Sequence, residues 1–419
     1  MALALIGSTN PNFSHIIGKN PASGMQAKPV RSGIAMGWFH PDSQCYNVYF
    51  KELSDESSYS NTDGIEYINS DQYTSPIFYM NINGDFFGGA IKEHHVLDEN
   101  PKIEGVPKYI NYYKLFAIEC QPKYLSIFEK SFDGRFGIES RLVCNNTYNI
   151  TISTSETIRE LLAFVNVFCS VNAIKLGYRV NGESEVEKYS KGLEMLDLPY
   201  FVRYIFKVQV MYTTKLFEKY KSLLEKSKRH IIELQPGYNF DNRFAFIKDN
   251  LNLTKPVVDF GCGEGNYVFK LAKKMGEIPY IAIDSDEEKR NGVVGKAKHR
   301  QLENVKVYDK LPDNLPEHSQ VIVSEVVEHM EISEAEAILN KIASNPNVDK
   351  IIITTPNVWF NKYYFMEEGE VRHEDHKIEL DPFSFTKLLQ RCSNGKTLTI
   401  QELGDKVDGI SSTIGGILQ

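Results

Sequence analysis

The chain has 419 residues, of which 42% are hydrophobic and 24% charged, and its formal net charge is −8 at pH 7. This length predicts two domains, each large enough to bury its own apolar core, and the composition is typical of a globular protein rather than a disordered one. No run of about 18 apolar residues is present, so we expect no membrane span, no membrane partner and a cytoplasmic location.

Charge and cysteine usage exclude two further classes of protein. A protein that coats long nucleic acid usually carries a basic field, so we expect any nucleic-acid contact of this acidic chain to be local, at an end or over a few nucleotides. The cysteines lie without a C-x-x-C pair or regular spacing, at positions 45, 120, 144, 169, 262 and 392. We therefore expect reduced thiols and neither a disulfide framework nor a zinc knuckle.

The first 235 residues predict an α+β domain. Short apolar segments between polar stretches read as strands of an antiparallel or mixed sheet: GIAMGWFH, YNVYF, IFYMNI, YKLFAIEC and YNITIS. From Ser155, a predicted N-cap, the apolar spacing becomes helical. A second amphipathic helix covers residues 213–230 and is followed by the breaker Pro236-Gly237. We expect the domain boundary there, with a substrate, partner or regulatory role for residues 1–235.

Residues 238–419 predict an α/β domain. Buried strands such as PVVDF, YIAID, QVIVSE and KIIITTP alternate with helices, and the final region is of mixed type. This alternation indicates a mostly parallel sheet with helices on both faces. Ligands of such a sheet bind at the carboxyl ends of its strands.

A glycine-rich loop, DFGCGEG, follows the first of these strands. Its glycines, Gly261, Gly263 and Gly265, permit positive φ and close approach of a ligand to the backbone. The spacing differs from the G-x-G-x-x-G of pyrophosphate binders, and Glu264 would disfavour a polyanion. The loop therefore predicts a site for a nucleotide-like cofactor without a polyphosphate.

Acidic residues end the strands around this loop. Asp259 precedes it, Asp284 ends YIAID, where a carboxylate can accept the hydroxyls of a ribose, and Asp309 closes VKVYD as a weaker contact to the adenine region. This arrangement resembles the Rossmann-like class I S-adenosylmethionine-dependent methyltransferases. The resemblance implies S-adenosylmethionine as cofactor, held by Asp259, the three glycines, Asp284 and Asp309.

The segment VSEVVEHME places Glu325, Glu328 and His329 directly after a buried strand. If the chain turns helical there, these residues share one face. VRHEDHKIEL, after the next strand, adds His373 or His376 at the same sheet edge. Carboxylates and imidazoles together suit Mn²⁺ or Mg²⁺, although Fe²⁺, Co²⁺ or Zn²⁺ would also be held. We therefore predict a metal site beside the cofactor loop.

The pattern E-x-x-E-H followed by R-H-x-D-H resembles the 3′-terminal RNA ribose 2′-O-methyltransferases, and NFSHIIGK and GWFHPD loosely resemble the N-terminal domain of their bacterial RNA-repair branch. The resemblance implies that Glu325, Glu328, His329 and His376 bind Mn²⁺ or Mg²⁺. It extends through TTPN and Arg243. Departures occur at VWFN, where an acidic residue is usual, and at IEL, where an acidic-tryptophan run is usual.

Several roles follow as expectations from this resemblance. A metal ion would bind both terminal ribose hydroxyls and thereby select RNA 3′ ends. Glu325, His376, His373 and Arg372 are assigned to catalysis, with His373 next to the metal ligands or as proton acceptor. Arg372 and Arg243 would contact the terminal phosphodiester. The bacterial branch further implies a polynucleotide kinase-phosphatase-ligase partner.

Two other functions stay open from the residues themselves. The same metal could chelate a small vicinal diol or catechol for O-methylation. The chain could instead be a non-catalytic, cofactor-binding adapter for an RNA-repair ligase. An intact set of buried ligands argues against the adapter, because buried charged groups are costly without a bound ion.

Overall fold

The computed structural model describes residues 2–30, 33–42, 44–52, 59–62, 65–68, 74–91, 101–103, 105–177, 183–366 and 369–419. The chain divides into two compact units, Met1–Arg229 and His230–Gln419. The sequence-based bounds were 1–235 and 238–419. Ile232 and Glu233 pair with a strand near the C-terminus, so these residues belong to the second unit.

The first unit is built on an antiparallel sheet. Its strands, in chain order, are β1 (Ala2–Ser8), β2 (Gln26–Val30), β3 (Gly33–Phe39), β4 (Cys45–Glu52), β5 (Tyr59–Thr62), β6 (Ile65–Ile68), β7 (Asn111–Glu119), β8 (Phe136–Cys144) and β9 (Thr147–Thr154). Seven of them form one sheet in the order β2-β3-β4-β1-β7-β9-β8, and β5 and β6 pair separately. Every pairing is antiparallel.

The first unit also contains helices, some of which pack on this sheet. They are α1 (Phe13–Ile16), α2 (Pro76–Asn81), α3 (Gly88–Ile91), α4 (Pro122–Lys130), α5 (Ile158–Lys175), α6 (Glu183–Met195), α7 (Tyr200–Ile205) and α8 (Thr214–Glu225). Helix α5 is apolar around most of its circumference and packs on β7 and β9, which explains its burial. Within the described residues, the helices are too short or too polar to cross a membrane.

Two local predictions for the first unit were wrong. IFYMNI forms helix α2 rather than a strand, because Ser75 caps the helix and Pro76 occupies its first turn. The cap of α5 is Thr157 rather than Ser155. Its hydroxyl accepts from Glu160 N, and the Glu160 carboxylate accepts from Thr157 N, which completes a capping box.

The second unit contains the predicted α/β sheet. Its strands are β10 (Ile232–Glu233), β11 (Val257–Phe260), β12 (Tyr280–Ile283), β13 (Val305–Tyr308), β14 (Ser319–Ser324), β15 (Val348–Pro356), β16 (Leu398–Val407) and β17 (Ile410–Leu418). The order is β10-β16-β17-β15-β14-β11-β12-β13. The five strands from β15 to β13 are parallel, and β17, β16 and β10 are antiparallel. The mostly parallel sheet is therefore confirmed.

Helices pack on both faces of this sheet. They are α9 (Asn239–Asn250), α10 (Val268–Leu271), α11 (Glu287–His299), α12 (Ile332–Ala343) and α13 (Pro382–Arg391). Val258 and Ile281 face a core shared with α12 and α13, whereas Val257 and Tyr280 face a core shared with α9, α10 and α11. Because both faces are covered, the central strands are mostly apolar, and ligand-binding residues are expected at the strand ends.

Two acidic side chains are buried on strands of this sheet, Asp259 on β11 and Asp405 on β16. Asp259 on β11 is 1% exposed, and its carboxylate accepts a hydrogen bond of 3.0 Å from the Tyr280 hydroxyl. Burial disfavours the charged form, which raises the pKa of Asp259 to about 7 from its ordinary 3.8. The folded state thus binds this proton more tightly than the unfolded chain does.

This shift predicts a pH dependence of stability. Because the folded-state pKa is raised, the free energy of unfolding should fall as the pH rises from the unfolded-state pKa through the folded-state pKa. About 2 kcal/mol of this loss should fall between about pH 5.5 and about pH 7.5. Asp259→Asn should lose this contribution. The measurement is urea unfolding in a Trp38→Phe background, where Trp359 is the one remaining tryptophan and reports on the second unit.

Asp309→Asn is the matched control, because Asp309 is exposed just past β13 of the same sheet. Its pH dependence should equal that of the parent protein. An Asp259→Asn curve parallel to the parent curve over this interval would contradict the assignment.

Candidate functional site

The glycine-rich loop follows β11 and turns sharply through its glycines. Gly261, Gly263 and Gly265 have φ values of 77°, 53° and 83°, which is the left-handed region that glycine adopts without strain. Gly263 N donates to Asp284 Oδ2 at 2.8 Å, and Asp286 N donates to Asp284 Oδ1 at 2.9 Å. Asp284 therefore orders the loop as well as the end of its own strand.

The predicted cofactor residues lie on three adjacent strands. Asp259 is buried behind the loop, Asp284 is partly exposed just past β12, and Asp309 is exposed just past β13. Partial exposure leaves the Asp284 carboxylate accessible to a hydroxyl-bearing ligand. Asp259 is buried, and the hydrogen bond of its carboxylate is with Tyr280 on the neighbouring strand β12.

The segment after β14 differs from the predicted helix. Glu325 has a φ of 55°, and a 3₁₀ turn, Val327–His329, follows it. A left-handed conformation is strained for a residue other than glycine, and such strain is concentrated at functional sites. The backbone is held there because Glu325 N donates to Thr354 O at 3.0 Å.

The segment after β14 also contacts the glycine-rich loop. A Cβ atom on Gly261 would lie 2.5 Å from Val326 Cγ2, closer than two carbon atoms can approach. Glycine at this position therefore lets the two segments pack directly together. Any ligand of the loop would lie beside the residues that follow β14.

Three of the four predicted metal ligands converge. One ligand atom each of Glu328, His329 and His376 lies within 4.8 Å of the other two. Two backbone hydrogen bonds bring the distant segment into place, since Lys377 N and Ile378 N donate to Glu328 O at 2.8 and 3.2 Å. The predicted meeting of these two segments at one sheet edge is thus observed in the described residues.

Glu328 is the buried member of this cluster. Its side chain is fully buried, Oε2 accepts from Thr355 Oγ1 at 3.2 Å, and Oε1 has no hydrogen-bond partner among the described residues. Burial and the neighbouring Glu325 carboxylate raise the pKa of Glu328 well above its ordinary value. A buried oxygen without a partner is costly, and a cation would satisfy it.

Glu325 lies outside this cluster of three. Its Oε2 forms an ion pair of 3.2 Å with Arg243 Nη1, and its Oε1 accepts from Thr354 Oγ1 at 3.3 Å. Arg243, predicted to contact RNA, is therefore engaged by a predicted metal ligand. The guanidinium balances the charge that Glu325 places beside Glu328.

Both histidines of the cluster are oriented through Nδ1. His376 Nδ1 lies 2.6 Å from Oε1 of Glu379, whose side chain is fully buried, and His329 Nδ1 lies 3.1 Å from Asp375 O. This leaves Nε2 of each ring as the ligand atom, a common arrangement in metal sites. His373 lies at the rim, 61% exposed, with its ring centroid 5.9 Å from that of His376.

Arg372 braces the segment that carries the histidines. Its Nε donates to Asn361 Oδ1 at 2.7 Å, and its Nη atoms donate to the carbonyls of Ser412 and Asn357. Its backbone N also donates to Glu379 Oε1 at 2.7 Å. These contacts place its guanidinium on protein acceptors rather than on open surface, so the structure favours a bracing role over the predicted phosphate contact.

Sequence reasoning missed the polar residues behind the cluster. The hydroxyls of Tyr267, Ser324 and Thr354 form a chain with distances of 2.8 and 2.7 Å that ends on Glu325. Ser324 and Thr354 lie at the carboxyl ends of predicted buried strands. Hydroxyl side chains at these positions were a signal for a functional site, because ligands bind at this edge of a parallel sheet. Glu379 had a signal too, since a carboxylate three residues after His376 can reach its ring.

Comparisons with known proteins identify two domains in the chain. A family model described as the Hen1 N-terminal domain matches residues 3–229, more than half of the chain, and a model described as a methyltransferase domain matches residues 257–345. A small RNA 2′-O-methyltransferase of Caenorhabditis elegans is 29% identical over 153 residues, which cover 32% of this chain and 35% of that protein. The chain thus matches about a third of the length of this curated relative.

Solved structures support the fold along the whole chain. A chain in a structure of the Pnkp1/Rnl/Hen1 RNA repair complex is similar with a TM-score of 0.80 and 22% identity, and all of both chains is covered. A second structure of a Pnkp1/Rnl/Hen1 complex gives a TM-score of 0.76 and 22% identity, covering 100% of this chain and 99% of the other. The family resemblance inferred from the sequence motifs is confirmed. The chain belongs to the Hen1 family, with a Hen1 N-terminal domain followed by a methyltransferase domain.

Proposed function

We propose that this protein transfers a methyl group from S-adenosylmethionine to the 2′-hydroxyl of the 3′-terminal ribose of RNA. The observation that carries the proposal is the cluster of Glu328, His329 and His376, packed beside the glycine-rich loop through the contact of Val326 with Gly261. Membership in the Hen1 family and the small RNA 2′-O-methyltransferase relative supply the substrate class.

The residues present fit a divalent cation. Glu328 offers a buried oxygen that has no partner among the described residues. His329 and His376 each offer Nε2, since their Nδ1 atoms contact Asp375 O and Glu379 Oε1. Nitrogen and oxygen ligands together suit Mn²⁺, with Mg²⁺ as the alternative. We assign these three residues as protein ligands and Glu325, one residue beyond the strand, as the fourth.

The bound ion would supply Lewis acidity that makes a ribose hydroxyl a better nucleophile. The chain's own residues do the remaining work. Glu379 orients His376, Arg243 and Thr354 hold Glu325, and the glycine-rich loop with Asp284 positions the cofactor. His373, exposed at the rim, is our candidate to accept the proton of the 2′-hydroxyl as the new oxygen–carbon bond forms and the carbon–sulfur bond breaks.

The proposed site selects RNA ends through two oxygens. A terminal ribose presents vicinal 2′ and 3′ hydroxyls, whereas an internal ribose carries a phosphodiester on its 3′ oxygen. Recognition of this diol needs no extended basic surface, which agrees with the net charge of −8. We further propose that the protein acts in the cytoplasm, in an RNA-repair assembly with a polynucleotide kinase-phosphatase and a ligase, since the similar full-length chain lies in a Pnkp1/Rnl/Hen1 complex.

The direct test is methyl transfer from labelled S-adenosylmethionine to a short RNA with Mn²⁺ present or chelated. We expect label on an RNA that ends in a normal ribose and none on its twins that end in a 2′-deoxyribose or in a 3′-phosphate. Chelation should abolish the transfer, and Glu328→Gln should abolish it even with Mn²⁺. Glu374→Gln, an exposed neighbour of the histidines, is the matched control and should keep the activity of the parent.

Label on the deoxy twin would refute the 2′-oxygen as acceptor. Label on catechol, tested as a further acceptor, but on none of the three RNAs would assign the protein to small-diol methylation. Cofactor binding without transfer to any acceptor would favour the adapter.

Glu379 offers a separate prediction about a residue that does not itself bind the ion. Its buried carboxylate holds His376 Nδ1, and loss of such a partner typically weakens metal affinity by about 10- to 100-fold. We expect Glu379→Gln to weaken Mn²⁺ binding in this range while cofactor binding stays intact. Calorimetric titration of each ligand measures both, with Glu374→Gln again as control, and unchanged Mn²⁺ affinity would remove the orienting role.

A further inference from the structure

The hairpin that joins β3 to β4 carries three metal-ligating side chains with no part in the proposed reaction. They are His40, Asp42 and Cys45, in the stretch FHPDSQCY of the first unit. One ligand atom of each lies within 4.8 Å of the other two. Imidazole, carboxylate and thiol thus meet at one end of a sheet.

The hairpin backbone brings these groups together. His40 N donates to Cys45 O at 3.0 Å, which closes the turn directly after the pairing of Phe39 with Tyr46. Gln44 N donates to Asp42 Oδ1 at 2.9 Å, and Asp42 Oδ2 faces His40 Nδ1 at 3.2 Å. The turn is also tied to the neighbouring strand, since Ser8 N donates to Gln44 O at 3.0 Å.

The three groups differ in exposure in a way that suits an ion entering from solvent. The side chains of His40 and Asp42 are 57% and 53% exposed, whereas Cys45 is 9% exposed and fixed within the sheet. A bound Zn²⁺ needs ligand bonds of about 2.0–2.3 Å. The two exposed side chains can turn to close the remaining distance, while the cysteine serves as the fixed point.

We propose that His40, Asp42 and Cys45 bind one Zn²⁺, with a water molecule in the fourth tetrahedral position. Thiolate and imidazole ligands select zinc over Mg²⁺ and Ca²⁺, which prefer oxygen ligands alone. Binding releases the thiol proton to solvent and forms the zinc–sulfur bond. The site is chemically distinct from the cluster of the second unit, which contains no sulfur ligand.

The competing explanation is an exposed His–Asp ion pair beside a buried thiol. Such pairs contribute little to stability, and buried cysteines often serve only as small apolar side chains. In that case the hairpin would have no affinity for a thiophilic ion. A measurement of sulfur–metal bonding therefore separates the two.

The test is titration of the reduced, metal-free full chain with Co²⁺, a spectroscopic substitute for Zn²⁺. We expect a thiolate-to-cobalt charge-transfer band that Zn²⁺ displaces. Cys45→Ser should abolish the band, and His40→Asn and Asp42→Asn should shift its titration to higher Co²⁺ concentration. Cys144→Ser, at an exposed cysteine outside the cluster, is the matched control and should leave the band unchanged.

A full chain that shows no charge-transfer band would overturn the proposal, as would a band that persists in Cys45→Ser. Because His40 and Asp42 are exposed, their variants keep the test valid even if Cys45→Ser folds poorly. A band that titrates identically in His40→Asn and Asp42→Asn would show that the ion binds elsewhere.

Discussion

The burial of the Glu328 carboxylate is the constraint on which the rest of this site depends. One of its oxygens is satisfied by Thr355, and the other is buried with no partner among the described residues. Burial with Glu325 nearby disfavours the charge, so the carboxyl stays protonated or requires a cation. Two features answer this constraint. The imidazoles of His329 and His376 offer further ligand atoms for a cation beside Glu328. The Arg243 guanidinium balances the adjacent Glu325 carboxylate.

The backbone conformation after β14 places the Glu328 carboxylate beside the glycine-rich loop. Glu325 adopts a left-handed conformation that turns the chain sharply at the end of β14, and Val326 then packs where only a glycine fits, at Gly261. The strained backbone at Glu325 and the absence of a side chain at Gly261 thus allow a sharp turn, in place of the helix that the spacing E-x-x-E-H suggests. The consequence is proximity: a donor held by the loop and an acceptor held at the cluster would lie side by side, and alignment is the main requirement of methyl transfer.

The architecture of the second unit could be predicted from the sequence, because its strands and helices follow a regular hydrophobic pattern. Strand-loop-helix repetition and the D-x-G-x-G-x-G loop depend on local chemistry, so they can be read without tertiary contacts. The pairing of Glu325 with Arg243, the bracing by Arg372 and the role of Glu379 depend on contacts between distant segments, which spacing does not encode. The segment IFYMNI shows that local patterns can also mislead. A short apolar run fits a strand and a helix equally well, and only the capping residue Ser75 identifies the helix.

In the proposed function, an acidic chain binds RNA at its 3′ end, and the charge of the binding site explains how. Affinity for long nucleic acid comes mainly from neutralised phosphates and is favoured by a basic surface, whereas this chain has a net charge of −8. A terminal diol offers neutral hydroxyl ligands instead, so the required positive charge is confined to one ion and held by acidic and imidazole side chains. Carboxylates that would repel a phosphate backbone thereby favour the end of the RNA over its interior. Selectivity for the terminus then comes from the diol and the ion together, with no need for an extended basic surface.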